Sequence, residues 1–277
     1  MLAVLLAATS AIIWGTADFS GGKATRYANS LVVTVVAELS ALPLLALALV
    51  LYPVPTPAAA DLGWGALAGL VGFVGLVLFY RGLATGAMSV VAPVAAVISA
   101  LVPFAVGLAL DGTPGNAALI GAGLAVVATG LVSVGHGGHR VTGTILTLAL
   151  ASGGLFGLFF VLLQRASPES GAWPLLAMRL AALVVGVPLL IRRRRQGLRL
   201  SRAALRWAVV AGVLDLVANG FYLVAVHLGQ LSVVAPVNSL YPASTVLLAL
   251  AVDGERVRPI QVLGLGLAVA ALVLTAT

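Results

Sequence analysis

Four ionisable residues lie within long apolar segments of this 277-residue sequence: Asp18, Glu38, Arg179 and Asp215. A charged side chain at bilayer depth costs about 3 kcal/mol or more unless it is paired or in contact with water. Such residues can form structural ion pairs, bind a charged solute or exchange a proton. The sequence leaves open whether Arg179 only pairs with Glu38 or Asp215 or belongs to a water-filled site. It also leaves open whether Asp18 is functional or simply solvated near a helix end.

Polar and aromatic side chains accompany these charges. Asn219 and Tyr222 follow Asp215 at spacings of four and seven, which places all three on one face of a helix. We expect this face to line a cavity that binds a small solute. The predicted substrate-binding residues combine aromatic walls, amides and charges: Trp14, Glu38, Tyr80, Arg179, Asp215, Asn219, Tyr222, Asn238 and Tyr241.

The composition is that of an integral membrane protein. Hydrophobic residues make up 61% of the chain and charged residues 8%, whereas soluble domains carry about 25% charged residues. The mean hydropathy is +1.16. The formal charge of +7 resides in short gaps between apolar segments, so it indicates membrane orientation rather than nucleic-acid binding. We therefore expect a multi-pass protein of the cell (inner or plasma) membrane, with the lipid bilayer as its surroundings.

The apolar segments predict an all-α fold with ten transmembrane helices. A helix needs about 20 residues to cross the hydrocarbon core, and glycine, proline and charged gaps divide the chain into segments of that length. The predicted helices lie near 2–22, 29–51, 63–84, 88–110, 116–134, 142–164, 172–191, 204–226, 232–252 and 259–276.

An internal duplication divides the ten helices into two halves. The hexapeptide S-V-V-A-P-V occurs at 89–94 and 232–237, and G-x-G-L-A-V occurs at 121–126 and 264–269, both with an offset of 143. We predict a first repeat at 1–134, a linker at 135–141 and a second repeat at 142–277. Because each repeat has five helices, the second enters the membrane from the opposite side, which gives two inverted repeats around a central cavity.

The repeated hexapeptide contains Pro93 and Pro236, for which we predict helix breaks near the site. Proline removes one backbone hydrogen bond, and the freed carbonyl is tolerated only beside protein or a water-filled cavity. An ordinary helix entry is the alternative. Asn238 and Pro242 follow the second copy, whereas Ala95 and Ala96 follow the first. The sequence therefore predicts an unequal site on symmetric scaffolding.

Basic residues mark the orientation. Thirteen lie in gaps after odd-numbered helices, whereas the opposite face holds only Arg165. The positive-inside rule then places these gaps in the cytoplasm and both termini outside.

Catalytic and metal-binding patterns are not expected to carry the function. The chain has no cysteine, and its histidines, His136, His139 and His227, lie at predicted loops or helix ends. We therefore predict a protein that is not an enzyme, without a metal or another cofactor. Gly65 and Gly69 lie on one face of the third helix, a pattern typical of close helix packing and, less often, of a dimer interface.

Several motifs together resemble the EamA-type, ten-helix branch of the drug/metabolite transporter superfamily. They are W-G-T-A-D-F-S-G-G-K at 14–23, the paired A-P segments, L-Y-P at 240–242, and V-D-G-E-R at 252–256 followed by Q-x-x-G at 261–264. The resemblance implies that the first four helices of each inverted repeat line the cavity while the fifth packs outside. It also implies export or exchange of small metabolites, amino acids or drugs without ATP.

We accordingly expect a secondary active transporter, acting as an exporter by alternating access, with a small molecule as its ligand. Proton coupling through Glu38 or Asp215 is one option. A passive facilitator and a non-transporting scaffold or sensor remain alternatives. The sequence is compatible with either a monomer or a homodimer.

Overall fold

A computed structural model describes residues 1–55, 57–83, 88–110, 112–132, 142–193, 200–253 and 258–276. The predicted linker 135–141 lies outside these residues. The described residues form a short 3-10 turn at Pro168–Ser170 and the following α-helices: α1 (Leu2–Thr25), α2 (Ser30–Leu51), α3 (Ala59–Leu83), α4 (Met88–Leu110), α5 (Asn116–Val132), α6 (Gly143–Gln164), α7 (Trp173–Arg193), α8 (Arg202–Leu228), α9 (Leu231–Asn238), α10 (Tyr241–Asp253) and α11 (Pro259–Ala276).

The helices have the length and composition of membrane spans. Within the described residues, α1, α2, α3, α6, α7 and α8 are each long and apolar enough to cross a membrane, and the apolar helices in α4, α5 and α11 are shorter. Side-chain caps fix several of their starts. Asn29 accepts a hydrogen bond from the Leu31 N–H at 2.9 Å, and Ser201 accepts one from the Ala204 N–H at 3.1 Å. The protein is thus a multi-pass, all-helical membrane protein.

The ninth predicted helix, 232–252, is wrong as a single element, because the structure divides it into α9 and α10. Pro236 lies inside α9, and the chain turns only at Ser239 and Leu240. The physical cause is Pro242, which has no N–H to donate to the Asn238 carbonyl four residues earlier. At the turn, the Leu240 N–H bonds to the Val237 carbonyl at 3.2 Å.

The matching break predicted at Pro93 is also wrong, because α4 continues through that residue. At the offset of 143, the first repeat has Ser99 where the second has Pro242. Ser99 retains its N–H, so the helical hydrogen-bond ladder is not interrupted there. The side chain of Pro93 lies outside the described residues. The repeats therefore differ in backbone as well as in side chains.

The helix contacts have the pattern of a pseudo-two-fold arrangement. Exchanging the repeats converts the contact of α1 with α8 into that of α6 with α3, and the contact of α2 with α8 into that of α7 with α3; all four are present. Helices α2 and α7 contact each other, as do α5 and α11. An element that contacts its own counterpart lies at the pseudo-symmetry axis, so both pairs mark that axis.

Two glycines related by the repeat allow the closest helix approaches. A Cβ atom on Gly69 of α3 would lie 2.1 Å from the Met178 carbonyl oxygen of α7. A Cβ atom on Gly212 of α8, at the offset of 143, would lie 2.1 Å from the Ala37 carbonyl oxygen of α2. The glycine face of the third predicted helix is therefore used within the chain, for packing against α7.

The first glycine of each G-x-G-L-A-V copy serves the contact between α5 and α11. A Cβ atom on Gly121 would lie 2.9 Å from the Thr275 nitrogen, and one on Gly264 would lie 2.8 Å from the Val132 nitrogen. Thr275 and Val132 are themselves 143 residues apart. This repeated sequence thus encodes a symmetric interface between the last helices of the two repeats.

We expect Gly69→Ala and Gly212→Ala each to destabilise the protein by about 1–3 kcal/mol, because the added methyl group would force two backbones apart. Thermal and denaturant unfolding of the purified protein in detergent measures the effect. Gly154→Ala is the matched control within a membrane helix, since a Cβ atom there meets no atom within 4 Å. Equal stability of all three variants would contradict this packing.

Candidate functional site

Arg179 of α7 bonds to two of the three other helices that carry the predicted charges within the apolar segments. Its Nη1 donates to Oε2 of Glu38 in α2 at 2.7 Å, and its Nη2 donates to Oδ2 of Asp215 in α8. The side chain of Arg179 is 3% exposed, that of Glu38 is 16% exposed and that of Asp215 is 29% exposed. We call these three residues the charge triad. The pair of Glu38 and Arg179 lies where α2 meets its own counterpart, at the pseudo-symmetry axis.

Asp215 receives two further hydrogen bonds. Trp14 Nε1 of α1 donates to Asp215 Oδ1 at 2.6 Å, and Asn219 Nδ2 donates to Asp215 Oδ2 at 3.0 Å. The spacing of four residues brings the Asn219 amide back over Asp215, where it also donates to the Asp215 carbonyl at 2.7 Å. Asp215 therefore links α1, α7 and its own helix.

Aromatic rings surround Trp14 on the other side. Its ring centroid lies 6.0 Å from Phe159, 5.4 Å from Phe160, 6.3 Å from Tyr222 and 6.4 Å from Tyr241. Tyr222 is fully buried and donates its hydroxyl to the Phe160 carbonyl at 3.1 Å. Tyr222 therefore belongs to a closed wall, together with two phenylalanines of α6 that the sequence reasoning missed. Phe156-Gly157 of α6 corresponds to Trp14-Gly15 of α1 at an offset of 142, which is a sequence signal for aromatic residues in this part of α6.

Asp18 is exposed although it lies on an inward face of α1. It follows Trp14 by four residues and buried Ala11 by seven, so all three share one helical face. It is also close enough to Asp215 for their charges to interact. Gly22, one turn further along, is exposed as well. Asp18 and Gly22 thus form an exposed strip on the C-terminal half of α1, next to the charge triad.

The opposite end is held by contacts to the connection between α6 and α7. The Ser167 N–H donates to Asp61 Oδ1 at 2.8 Å, and the Ser167 hydroxyl donates to Asp61 Oδ2 at 3.0 Å. His227 Nε2 lies 2.7 Å from the Ala166 carbonyl oxygen. These bonds tie the connection to the start of α3 and the end of α8. Together with the aromatic wall, they close this side.

Asn238 and Tyr241 flank the interruption between α9 and α10. Asn238 is fully buried, and its amide nitrogen and oxygen have no hydrogen-bond partner among the described residues. Tyr241 is partly buried, and its hydroxyl interacts with the Ser99 hydroxyl of α4. Tyr80 lies in α3, and its side chain is outside the described residues. Asn238 therefore lies beside the helix break, and it has no hydrogen bond to the charge triad.

Comparison with known proteins assigns the chain to a family. The profile of the EamA-like transporter family matches residues 1–134 and, a second time, residues 143–277. The chain belongs to the EamA-like transporter family. It is accordingly a membrane transporter of small solutes rather than an enzyme.

Other comparisons bear only on the fold. No curated protein matches the chain. A solved structure titled "Crystal structure of protein" has 15% sequence identity and a TM-score of 0.78, over 99% of this chain and 96% of the other. At that identity, the likeness establishes a shared fold and leaves the substrate undefined.

We expect Arg179→Gln to destabilise the protein by about 3–5 kcal/mol, because it leaves Glu38 and Asp215 in the interior without their cation. Denaturant unfolding in detergent, followed by circular dichroism, measures the loss. The exposed Arg165→Gln is the matched control and should change stability by about 0.5 kcal/mol or less. The triple variant Glu38→Gln, Arg179→Gln, Asp215→Asn should recover most of the loss. A single variant as stable as the wild type would contradict the importance of the ion pairs.

Proposed function

We propose that the protein is a secondary active transporter that exports a small solute by alternating access. The observation that carries this proposal is the charge triad at the pseudo-symmetry axis, with the exposed Asp18 on one side of it and packed aromatic rings on the other. In an inverted-repeat transporter, a site in this position serves both membrane faces when the repeats rock against each other.

The solute binds beside the charge triad, against Trp14 and Tyr241, and the amides of Asn219 and Asn238 supply hydrogen bonds. Tyr80 of α3 remains a predicted substrate contact. The energy comes from an ion gradient, since the sequence contains no nucleotide-binding P-loop. Asn238 supports this role because a fully buried amide without a partner is costly to retain for packing alone.

Proton exchange at Glu38 or Asp215 provides the coupling. A carboxylate that takes up a proton loses its negative charge and therefore most of its attraction for the Arg179 guanidinium. Protonation of either residue weakens one contact between helices of the charge triad and frees the helices to move. Release of the proton on the other side restores the pair. This cycle links solute movement to the proton gradient.

We expect purified wild-type protein in proteoliposomes to transport members of a labelled panel of metabolites, amino acids and drugs. Flux should fall by about tenfold or more in Glu38→Gln, Arg179→Gln and Asp215→Asn, because each disrupts the charge triad. Arg165→Gln, which removes an exposed charge, is the control and should retain wild-type flux.

A pH gradient imposed across the same vesicles tests coupling. Accumulation of solute against its own gradient supports exchange with protons. Movement only down the solute gradient, with no response to pH, would identify a passive facilitator. Unchanged flux in all three triad variants would contradict the proposed position of the site. No flux for any member of the panel would favour a scaffold or sensor.

A further inference from the structure

The interior of the bundle carries more negative than positive charge around the site. Asp18, Glu38 and Asp215 contribute three carboxylates, and Arg179 is the one cation among the described residues that bonds to any of them. Asp18 has no hydrogen bond or ion pair with another described residue. A carboxylate at this depth that is exposed but unpaired favours a cation beside it.

The Arg179 guanidinium of the charge triad is already hydrogen-bonded to two carboxylates. Arg179 donates through Nη1 to Glu38 and through Nη2 to Asp215. A carboxylate or phosphate ligand would have to displace one of these partners before it could form a bidentate pair with the arginine. The arrangement therefore disfavours an anionic solute.

The surroundings of Asp18 suit an organic cation in two further ways. Trp14 lies one helical turn before Asp18, and its ring centroid is 6.4 Å from that of Tyr241. Both residues are partly exposed, and aromatic faces attract cations within about 6 Å of the ring centroid. Independently, Asn219 is 1% exposed, its amide nitrogen is bound to Asp215 and its Oδ1 has no partner among the described residues. That atom can only accept a hydrogen bond.

From these observations we propose that Asp18 receives a small organic cation, whose flat or apolar body lies against Trp14 and Tyr241. Asp18 supplies the pairing charge, the rings supply cation–π contact, and Asn219 Oδ1 accepts from any N–H that the solute carries. This assignment of the solute class rests on the proposed transport function. It makes Asp18 the residue that selects charge, whereas the charge triad joins the moving helices.

The charge preference of the access route can be measured without knowing the solute. The chain has no cysteine, so Gly22→Cys introduces a unique thiol on the Asp18 side of α1, where a Cβ atom meets nothing within 4 Å. Gly143→Cys, at the exposed start of α6 and equally uncrowded, is the matched control. Each variant is reacted in vesicles with a cationic and an anionic methanethiosulfonate reagent.

We expect the ratio of cationic to anionic reaction rates to be about tenfold higher at Gly22→Cys than at Gly143→Cys, because the negative interior concentrates cations. Adding Asp18→Asn to Gly22→Cys should lower that ratio towards the control value. Equal ratios at the two positions, or a ratio that Asp18→Asn leaves unchanged, would overturn the assignment.

A cationic probe and its neutral analogue test whether the site recognises positive charge. At pH 8, 1-methyl-4-phenylpyridinium is a permanent cation and 4-phenylpyridine is its neutral analogue, and equilibrium dialysis measures both against the purified protein. We expect the cation to bind about tenfold more tightly or better, Asp18→Asn to lose that preference and Asp18→Glu to keep most of it. The melting temperature of Asp18→Asn should remain that of the wild type, because no described residue depends on Asp18 for a bond.

Equal binding of the two probes, binding of neither, or a preference that survives Asp18→Asn would overturn the proposal. Different outcomes would contradict the proposed transport function. If the wild type moves neutral or zwitterionic solutes and Asp18→Asn does so equally well, transport stands and cation selection by Asp18 is wrong. If the cation binds through Asp18 but no solute crosses proteoliposomes, the binding site stands and the transport proposal is wrong.

Discussion

The contact of one guanidinium with two carboxylates constrains much of this structure. Arg179 is almost fully buried, and its stability in the interior depends on Glu38 and Asp215 reaching it from different helices. That requirement sets how closely α2, α7 and α8 approach. Gly212 allows the close approach of α8 and α2, because a side chain at that position would push α8 away from α2. The ion pairs of Arg179 and the glycine contacts between helices therefore depend on the same helix spacing.

The scaffold is more symmetric than the site it supports. Gly69 and Gly212 correspond across the repeats, and an added Cβ atom at either position would lie 2.1 Å from a carbonyl oxygen of the neighbouring helix. By contrast, the position equivalent to Arg179 in the first repeat is close to Glu38, so a cation in one half meets an anion in the other. A like pair at the axis would repel, whereas this opposite pair attracts. Symmetry in packing thus coexists with a polar difference between the two halves of the site.

The sequence alone located the charges but could not decide what they do. Asp18, Glu38, Arg179 and Asp215 stand out because they interrupt apolar segments. The sequence left open whether Arg179 pairs with Glu38 or with Asp215, and in the structure it bonds to both. The helix break was misplaced because the repeated Pro236 drew attention, whereas the effective residue is Pro242, which has no N–H for the Asn238 carbonyl. Bonds such as those between Asp61 and Ser167 connect distant segments, and no local pattern in the sequence reports them.

Trp14 links the charge triad to the aromatic wall. Its indole N–H bonds to Asp215, and its ring packs edge-on against Phe160 with an interplanar angle of 84°. Opening the closed side requires the ring to leave the phenylalanines, and a tilt of α1 that achieves this also pulls on Asp215. In the proposed cycle, protonation of Asp215 therefore acts on the same side chain that seals the aromatic wall. Under the proposed alternating-access cycle, Trp14 connects the charge triad to the wall that must open.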